Sequence, residues 1–505
     1  MRPRLVLAWL TAAALVVAIG ACSLLPSFPR DRSTPSAEQV DPALADYYGQ
    51  VLSWRECGEQ LQCSTVSAPL DWRDPAAPIE LSVVRHKATG DRIGSLLVNP
   101  GGPGGSGFDF VHDSLDYAVG KPLQERFDII GFDPRGVSRS TPVRCLDAAG
   151  MDELLYTDAV GEPGSEEFLN EQLSLAADFY AACRKNTGAL FDHVDTVSAA
   201  RDLDLLRAVL GDRRLYYLGY SYGTLLGATY AELYPDKVGA LVLDGAIDPS
   251  ASDTEATINQ AAGFESAFAA FAADCLRGPD CPLTGSPEQA KQQVREMLAD
   301  VHRNPIPAKD GRELNEAVLS TAIFQALYSP EYWALLSEVF RQVSQGVTDE
   351  AFLLADFYNG RQEDGSYRDN STEAFIAISC LDRHGPLDRE VMAAEALRLT
   401  EAAPLLGVYF SYGATLCSVF DGPERGLNRA VHATGSRPIL VVGTTNDPAT
   451  PYQQAVALAG QLDNGHLVTY NGEGHTAYGK SNQCVDQAVE NYLVRGVVPE
   501  SDPNC

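Results

Sequence analysis

Six runs of mostly apolar residues, at 94–99, 127–132, 215–219, 238–243, 438–443 and 466–470, are separated by turn-rich or helix-patterned sequence. Runs this short and this uniformly apolar predict strands buried on both faces of a sheet. Two more strands, at 65–69 and 79–86, precede them. Apolar positions recurring with a 3.6-residue period predict helices between the strands, most clearly over 197–210 and 222–233. Strands alternating with helices predict an α/β protein whose mostly parallel sheet is covered on both faces. No internal repeat is visible.

Between the sixth and seventh predicted strands the pattern changes. Residues 251–435 are helix-rich, with alanine-heavy stretches at 264–275 and 287–301, and contain no strong buried-strand run. Placed between two core strands, this segment is expected to be a helical cap over the edge of the sheet where open α/β sheets bind ligands. An independent second domain is the alternative. The chain then divides into 47–250, the first part of the core; 251–435, the cap; and 436–505, the C-terminal part of the core.

Composition narrows the setting. The 505 residues are 45% hydrophobic and 21% charged, enough for a large packed interior. A net charge of −30 opposes binding to nucleic acid and, through charge, to anionic membrane surfaces. Arg2 and Arg4 precede an apolar stretch at 5–19, short for a bilayer span, which ends at Ile19-Gly20-Ala21-Cys22. This start resembles a bacterial lipoprotein signal: cleavage after residue 21 and acylation of Cys22 would tether the exported chain to the outer face of the cytoplasmic membrane. The alternative is an ordinary secretory signal and a released protein. Residues 22–46, with Pro26, Pro29, Pro35 and Pro42, are expected to be an extended spacer.

Of eleven cysteines, ten remain after Cys22: Cys57, Cys63, Cys145, Cys183, Cys275, Cys281, Cys380, Cys417, Cys484 and Cys505. An even set in an exported chain implies five disulfides. The short spacings suggest Cys57–Cys63, Cys275–Cys281 and Cys484–Cys505, and leave the other four cysteines open. No metal site is expected, since Cys-x-x-Cys and His-Glu-x-x-His are both missing.

The chemistry concentrates at Gly219-Tyr220-Ser221-Tyr222-Gly223, between a predicted strand and a predicted helix. A serine on such a sharp turn has its hydroxyl projected above the sheet, with flanking glycines where any Cβ would collide. It needs a base and a group that orients the base. Asp447 and His475 follow the last two predicted strands in the chain order that this topology requires. Ser221, Asp447 and His475 are therefore the expected triad, with Asp244 and Asp248 as rival acids. The backbone N–H groups of Tyr222 and of Gly102, in the loop after 94–99, are the expected oxyanion donors. The G-x-G-x-x-G at Gly102–Gly107 is not read as a dinucleotide site: Pro103 intrudes and no acidic residue ends a strand about 20 residues later. No cofactor is expected.

Five motifs together, Asn99-Pro100-Gly101-Gly102-Pro103-Gly104, Gly131-Phe132-Asp133-Pro134-Arg135-Gly136, Gly219–Gly223, Thr444 with Asn446-Asp447-Pro448, and Gly474-His475, resemble the α/β-hydrolase peptidases related to proline iminopeptidase. Within that group the chain is similar to exported actinobacterial tripeptidyl aminopeptidases over essentially the whole mature sequence. Asn99 departs from the pattern, where relatives often have His. The resemblance implies an α/β-hydrolase fold and removal of short peptides, tripeptides above all, from free N-termini of peptide or protein substrates. An exopeptidase must hold an ammonium group, and the cap acids Asp382 and Glu373 are the candidates. Asp133 and Arg135 are expected to be structural. A cell-envelope esterase, lipase or acyltransferase using the same triad is the competing class. Oligomeric state is left open.

Overall fold

A computed structural model describes residues 31–384 and 387–505. The expected signal peptide and Cys22 lie outside the described residues. Nine strands form one sheet: β1 (Arg55–Gly58), β2 (Leu61–Asp71), β3 (Asp74–His86), β4 (Gly94–Asn99), β5 (Phe127–Phe132), β6 (Leu215–Tyr220), β7 (Val238–Asp244), β8 (Ile439–Asn446) and β9 (Gly465–Glu473), in the spatial order β1-β2-β3-β5-β4-β6-β7-β8-β9. From β5 onward the neighbours pair in parallel, while β1, β2 and β3 form an antiparallel flank. Every residue of β4, β5 and β7 is buried, as strands covered on both faces require.

The antiparallel flank is longer than its sequence signal. Pro69, Pro75 and Pro78 interrupt the apolar pattern, yet β2 and β3 pair from Leu61↔His86 to Asp71↔Asp74. The short strand β1 was not expected. Its residues are mostly exposed, so no apolar pattern marks it. The disulfide Cys57–Cys63 ties it to β2.

Between β7 and β8 run the helices Asp253–Cys275, Pro287–Arg303, Glu316–Leu327, Trp333–Val343, Asp349–Asn359, Ser371–Asp382 and Arg389–Ala402. Phe264, Phe268, Phe271, Ile323 and Phe340 lie in an apolar cluster of their own. The sequence division is not clean at either side. Tyr156, inside 47–250, joins that cluster, donates a hydrogen bond to Asp356 (2.7 Å), and receives one on its carbonyl from Asn315 (2.8 Å). Conversely, Ala374, Ile378 and Leu381, inside 251–435, pack into the main apolar cluster of the core. Alternation of helix and loop carries no information about which of two adjacent cores a helix will join.

The expected spacer is partly a structural element. Residues 31–46 lie against the core, where Glu38 pairs with buried Arg207 (2.5 Å) and with Lys237 (2.7 Å), and Arg32 bridges Ser53. Prolines suited to an extended chain do not prevent docking where Glu38 adds a second carboxylate to buried Arg207, which also pairs with Asp204 (2.8 Å). The five disulfides are Cys57–Cys63, Cys145–Cys183, Cys275–Cys281, Cys380–Cys417 and Cys484–Cys505. No helix among the described residues is long and apolar enough to cross a membrane.

Candidate active site

β6 ends in a turn at Ser221 and the helix Tyr222–Leu233 begins on the next residue. Ser221 has φ 55° and ψ −124°, a conformation that non-glycine residues adopt only when the surroundings impose it. The surroundings do so here. Ser221 N–H donates to Asp244 O (2.9 Å) and Thr224 N–H to Ser221 O (2.8 Å). A Cβ on Gly219 would lie 2.3 Å from Gly223 O, and one on Gly223 2.8 Å from Asn99 Oδ1, so both glycines are required by close approach.

Asp447 and His475 come from the loops after β8 and β9 and meet at this edge of the sheet. His475 Nδ1–H donates to Asp447 Oδ1 (2.8 Å) and lies 3.0 Å from Oδ2. Asp447 is 1% exposed and also accepts from the N–H groups of Ala449 (2.9 Å), Thr450 (2.9 Å) and Thr476 (3.2 Å). These bonds hold the carboxylate aimed at the imidazole. Thr450 Oγ1 sits 3.1 Å from Asp447 Oδ2 and 3.3 Å from His475 Nδ1, closing the group. His475 Nε2 has no protein partner among the described residues, Ser221 Oγ included. The ring packs on the turn after β7: a Cβ on Gly245, which follows the residue that anchors Ser221 N–H, would be 3.2 Å from His475 Cε1. In free enzymes the serine–histidine contact commonly tightens only with substrate bound.

The rival acids take other roles in this geometry. Asp244 is fully buried and accepts from Ala477 N–H (3.0 Å) and Tyr478 N–H (2.8 Å), bracing the segment after His475; burial pushes its carboxyl up to about 6. Asp248 accepts from Ser250 and Gln461.

The glycine-rich loop after β4 lies on the elbow. A Cβ on Gly101 would be 2.8 Å from Ser221 Cβ and 3.1 Å from Tyr222 N, and Gly101 and Gly102 both have positive φ. Asn99 Oδ1 accepts from Gly101 N–H (3.0 Å), shaping the loop, while its buried Nδ2 has no partner among the described residues. Behind the loop, Asp133 accepts from Ser106 Oγ (2.5 Å) and Phe108 N–H (3.2 Å), and Arg135 is buried on Asp202 (2.6 Å) and three backbone carbonyls.

A cavity of about 470 Å³ opens over Ser221, lined among others by Gly102, Tyr222, Tyr328, Asp382 and Thr450. Of the two amine candidates, Asp382 is there. It accepts from Thr196 N–H (2.8 Å) and Thr196 Oγ1 (2.5 Å), and Thr196 Oγ1 in turn lies 2.5 Å from the Tyr222 hydroxyl. Burial pushes the Asp382 carboxyl up to about 7. Glu373 is not in this cavity. Its Oε1 accepts from Cys145 N–H (2.6 Å) and Leu146 N–H (3.0 Å), which fixes the chain after β5, and its place outside the lining of the cavity over Ser221 corrects the expectation that it could hold a substrate amine there.

Two participants escaped sequence reading. Thr450 is the residue for which a signal existed, a hydroxyl three positions after the acid. Tyr328 had none: it follows a cap helix, accepts from His475 N–H with its carbonyl (2.8 Å), and stands edge-on to the imidazole at 5.5 Å.

Residues 94–480 match the family described as alpha/beta hydrolase fold. The serine protease Hip1 of Mycobacterium tuberculosis is 36% identical over 99% of this chain and 98% of its own length. Carboxylesterase B of the same organism is 38% identical over 94% and 92%, and the tripeptidyl aminopeptidase of Streptomyces coelicolor 30% identical over 90% and 86%. Whole-length relatives, the family match and a nine-stranded sheet carrying a serine at its elbow agree: this chain is a serine hydrolase that belongs to the α/β-hydrolase fold family.

Proposed function

We propose that the protein is an exported serine peptidase that releases short peptides, tripeptides among them, from free N-termini through an acyl-enzyme, with Ser221 as nucleophile, His475 as base and Asp447 as the group that orients the base. The observation that supports this reading is the His475–Asp447 pair (2.8 Å) at the sheet edge where Ser221 faces a cavity whose wall includes the buried carboxyl group of Asp382. The Hip1 and tripeptidyl aminopeptidase relatives support peptide substrates.

In this mechanism Asp447 fixes the proton on Nδ1, so that Nε2 is free to take the Ser221 proton as Oγ attacks the carbonyl carbon. The N–H groups of Gly102 and Tyr222 stabilise the resulting oxyanion. His475 then gives its proton to the leaving amine, and water attacks the acyl-enzyme with the same base. Asp382, when ionised, pairs with the ammonium group of the substrate. Five disulfides support an oxidising compartment, and Cys22 is the proposed attachment point for a lipid anchor.

Ester hydrolysis is the second reading, favoured by the carboxylesterase relative. Cleavage of a peptide library with free and acetylated N-termini, beside simple esters, separates the two. The peptidase reading requires release of N-terminal fragments from free-amine peptides and much slower cleavage of acetylated ones. Ester cleavage alone would assign the protein to the second class.

A further inference from the structure

The catalytic cavity has a direction. The helix Asp253–Cys275 runs along its wall, contributing Asp253, Gln260 and Phe264. This helix is fastened to the loop of the catalytic acid: Gly263 has no room for a Cβ, which would lie 2.7 Å from Pro448 O and 3.0 Å from Asp447 O. Gln260 Nε2 donates to Ala449 O (2.9 Å) and Ser266 Oγ to Asn446 Oδ1 (2.6 Å). Phe264, at the middle of the helix, is therefore level with the catalytic acid. Asp253, eleven residues earlier, is about 16 Å away along the helix axis. At that far end Arg383, next to Asp382, pairs with Asp253 (2.7 Å) and donates to Ala251 O (2.7 Å).

The near end is aromatic. Phe264 stands edge-on to Phe324 (5.0 Å, 88°) and to Tyr328 (5.5 Å, 71°), and Phe324 edge-on to Phe410 (5.5 Å, 88°). Interlocked pairs of this geometry hold each other's rings in place. The hydroxyl of Tyr409, beside Phe324, is engaged by Glu316 (2.6 Å), so the ring rather than the polar tip is left to this end. Of the charged lining residues, Asp253 and Arg383 pair at the other end, where Arg383, which follows Asp382, also donates to Pro249 O (3.3 Å) next to Asp248.

We propose that the aromatic end, built on Phe264, Phe324, Tyr328 and Phe410, is the specificity pocket for the residue whose carbonyl Ser221 attacks, and that it selects large apolar and aromatic side chains. The substrate chain then runs from this pocket toward the acidic end, N-terminus leading. The assignment rests on the serine-hydrolase reading of Ser221 and adds the side-chain class to it.

The test uses N-acetyl p-nitrophenyl esters of Gly, Ala, Leu, Phe, Lys and Asp, which any hydrolase acting through Ser221 can cleave and which carry no ammonium group to bind elsewhere. Phe and Leu esters are expected to exceed Ala in kcat/KM by about 10- to 100-fold, with Lys and Asp below Ala. Phe324→Ala and Phe410→Ala, two separate variants in case one folds poorly, are expected to bring the Phe-to-Ala ratio toward unity. Turnover with a flat series, or with Lys or Asp preferred, overturns the pocket while leaving the nucleophile assignment standing. No turnover of any ester overturns the nucleophile assignment and the pocket with it.

Discussion

Ser221 is held in left-handed backbone by bonds from both sides, and Asp447 is held by three backbone N–H donors besides the imidazole. Both residues are thus positioned before substrate arrives, which is what electrostatic preorganisation demands. Asp447→Asn is expected to lower kcat by about 10,000-fold with the fold intact, because the amide would stabilise the wrong imidazole tautomer. Thr450→Val removes a neutral hydroxyl from the same group, and a loss nearer 10-fold in kcat with KM unchanged is expected, the scale of one hydrogen bond. Steady-state kinetics on an N-blocked ester measures both. At Asp382 the acidity matters. Burial raises this carboxyl to about 7, so it is neutral below that pH and ionised above it. A neutral carboxyl does not attract an ammonium group. The ratio of kcat/KM for a free-amine peptide to that for the N-blocked ester should fall as pH drops through about 7, and Asp382→Ala should flatten that ratio. A ratio unchanged by pH and by the substitution would remove the amine role.

The elements that carry catalytic groups were legible because their signals are local. The buried strands announce themselves as short apolar runs, and the elbow as glycines around a serine. Asp447 and His475 could be placed because each follows such a run. The cap resisted for the opposite reason. Tyr328 reaches His475 through its backbone carbonyl, which any residue could supply, and Glu373 was misassigned because its carboxylate serves buried N–H groups in a distant segment. One cap element invites a direct test. The disulfide Cys380–Cys417, of separation 37, closes a loop that begins two residues before Asp382. Loop-closure entropy gives such a link a stabilising effect of about 4 kcal/mol. The double variant Cys380→Ser/Cys417→Ser should unfold at correspondingly lower denaturant, and should raise KM for free-amine peptides more than for the N-blocked ester.

At the scale of the whole molecule, two apolar cores meet over one sheet edge, and the proposed triad lies on the loops and turn at the ends of β6, β8 and β9. In the proposed reading the core carries the reacting atoms and the cap carries the walls that sort substrates. Residues 31–46 and the C-terminal disulfide Cys484–Cys505 bind both ends of the described chain onto the core. Net charge and cysteine count pointed to an acidic protein of an oxidising compartment, but neither could say which helices would share a core. That depends on contacts between segments far apart in sequence. The proposed chemistry depends on Ser221 being activated by its neighbours. Reaction with a fluorophosphonate, followed by mass spectrometry of the digested protein, tests this most directly: one adduct on the peptide containing Ser221, absent from Ser221→Ala and strongly slowed in Asp447→Asn, is the predicted result. An adduct on another residue, or no adduct on the folded protein, would contradict it.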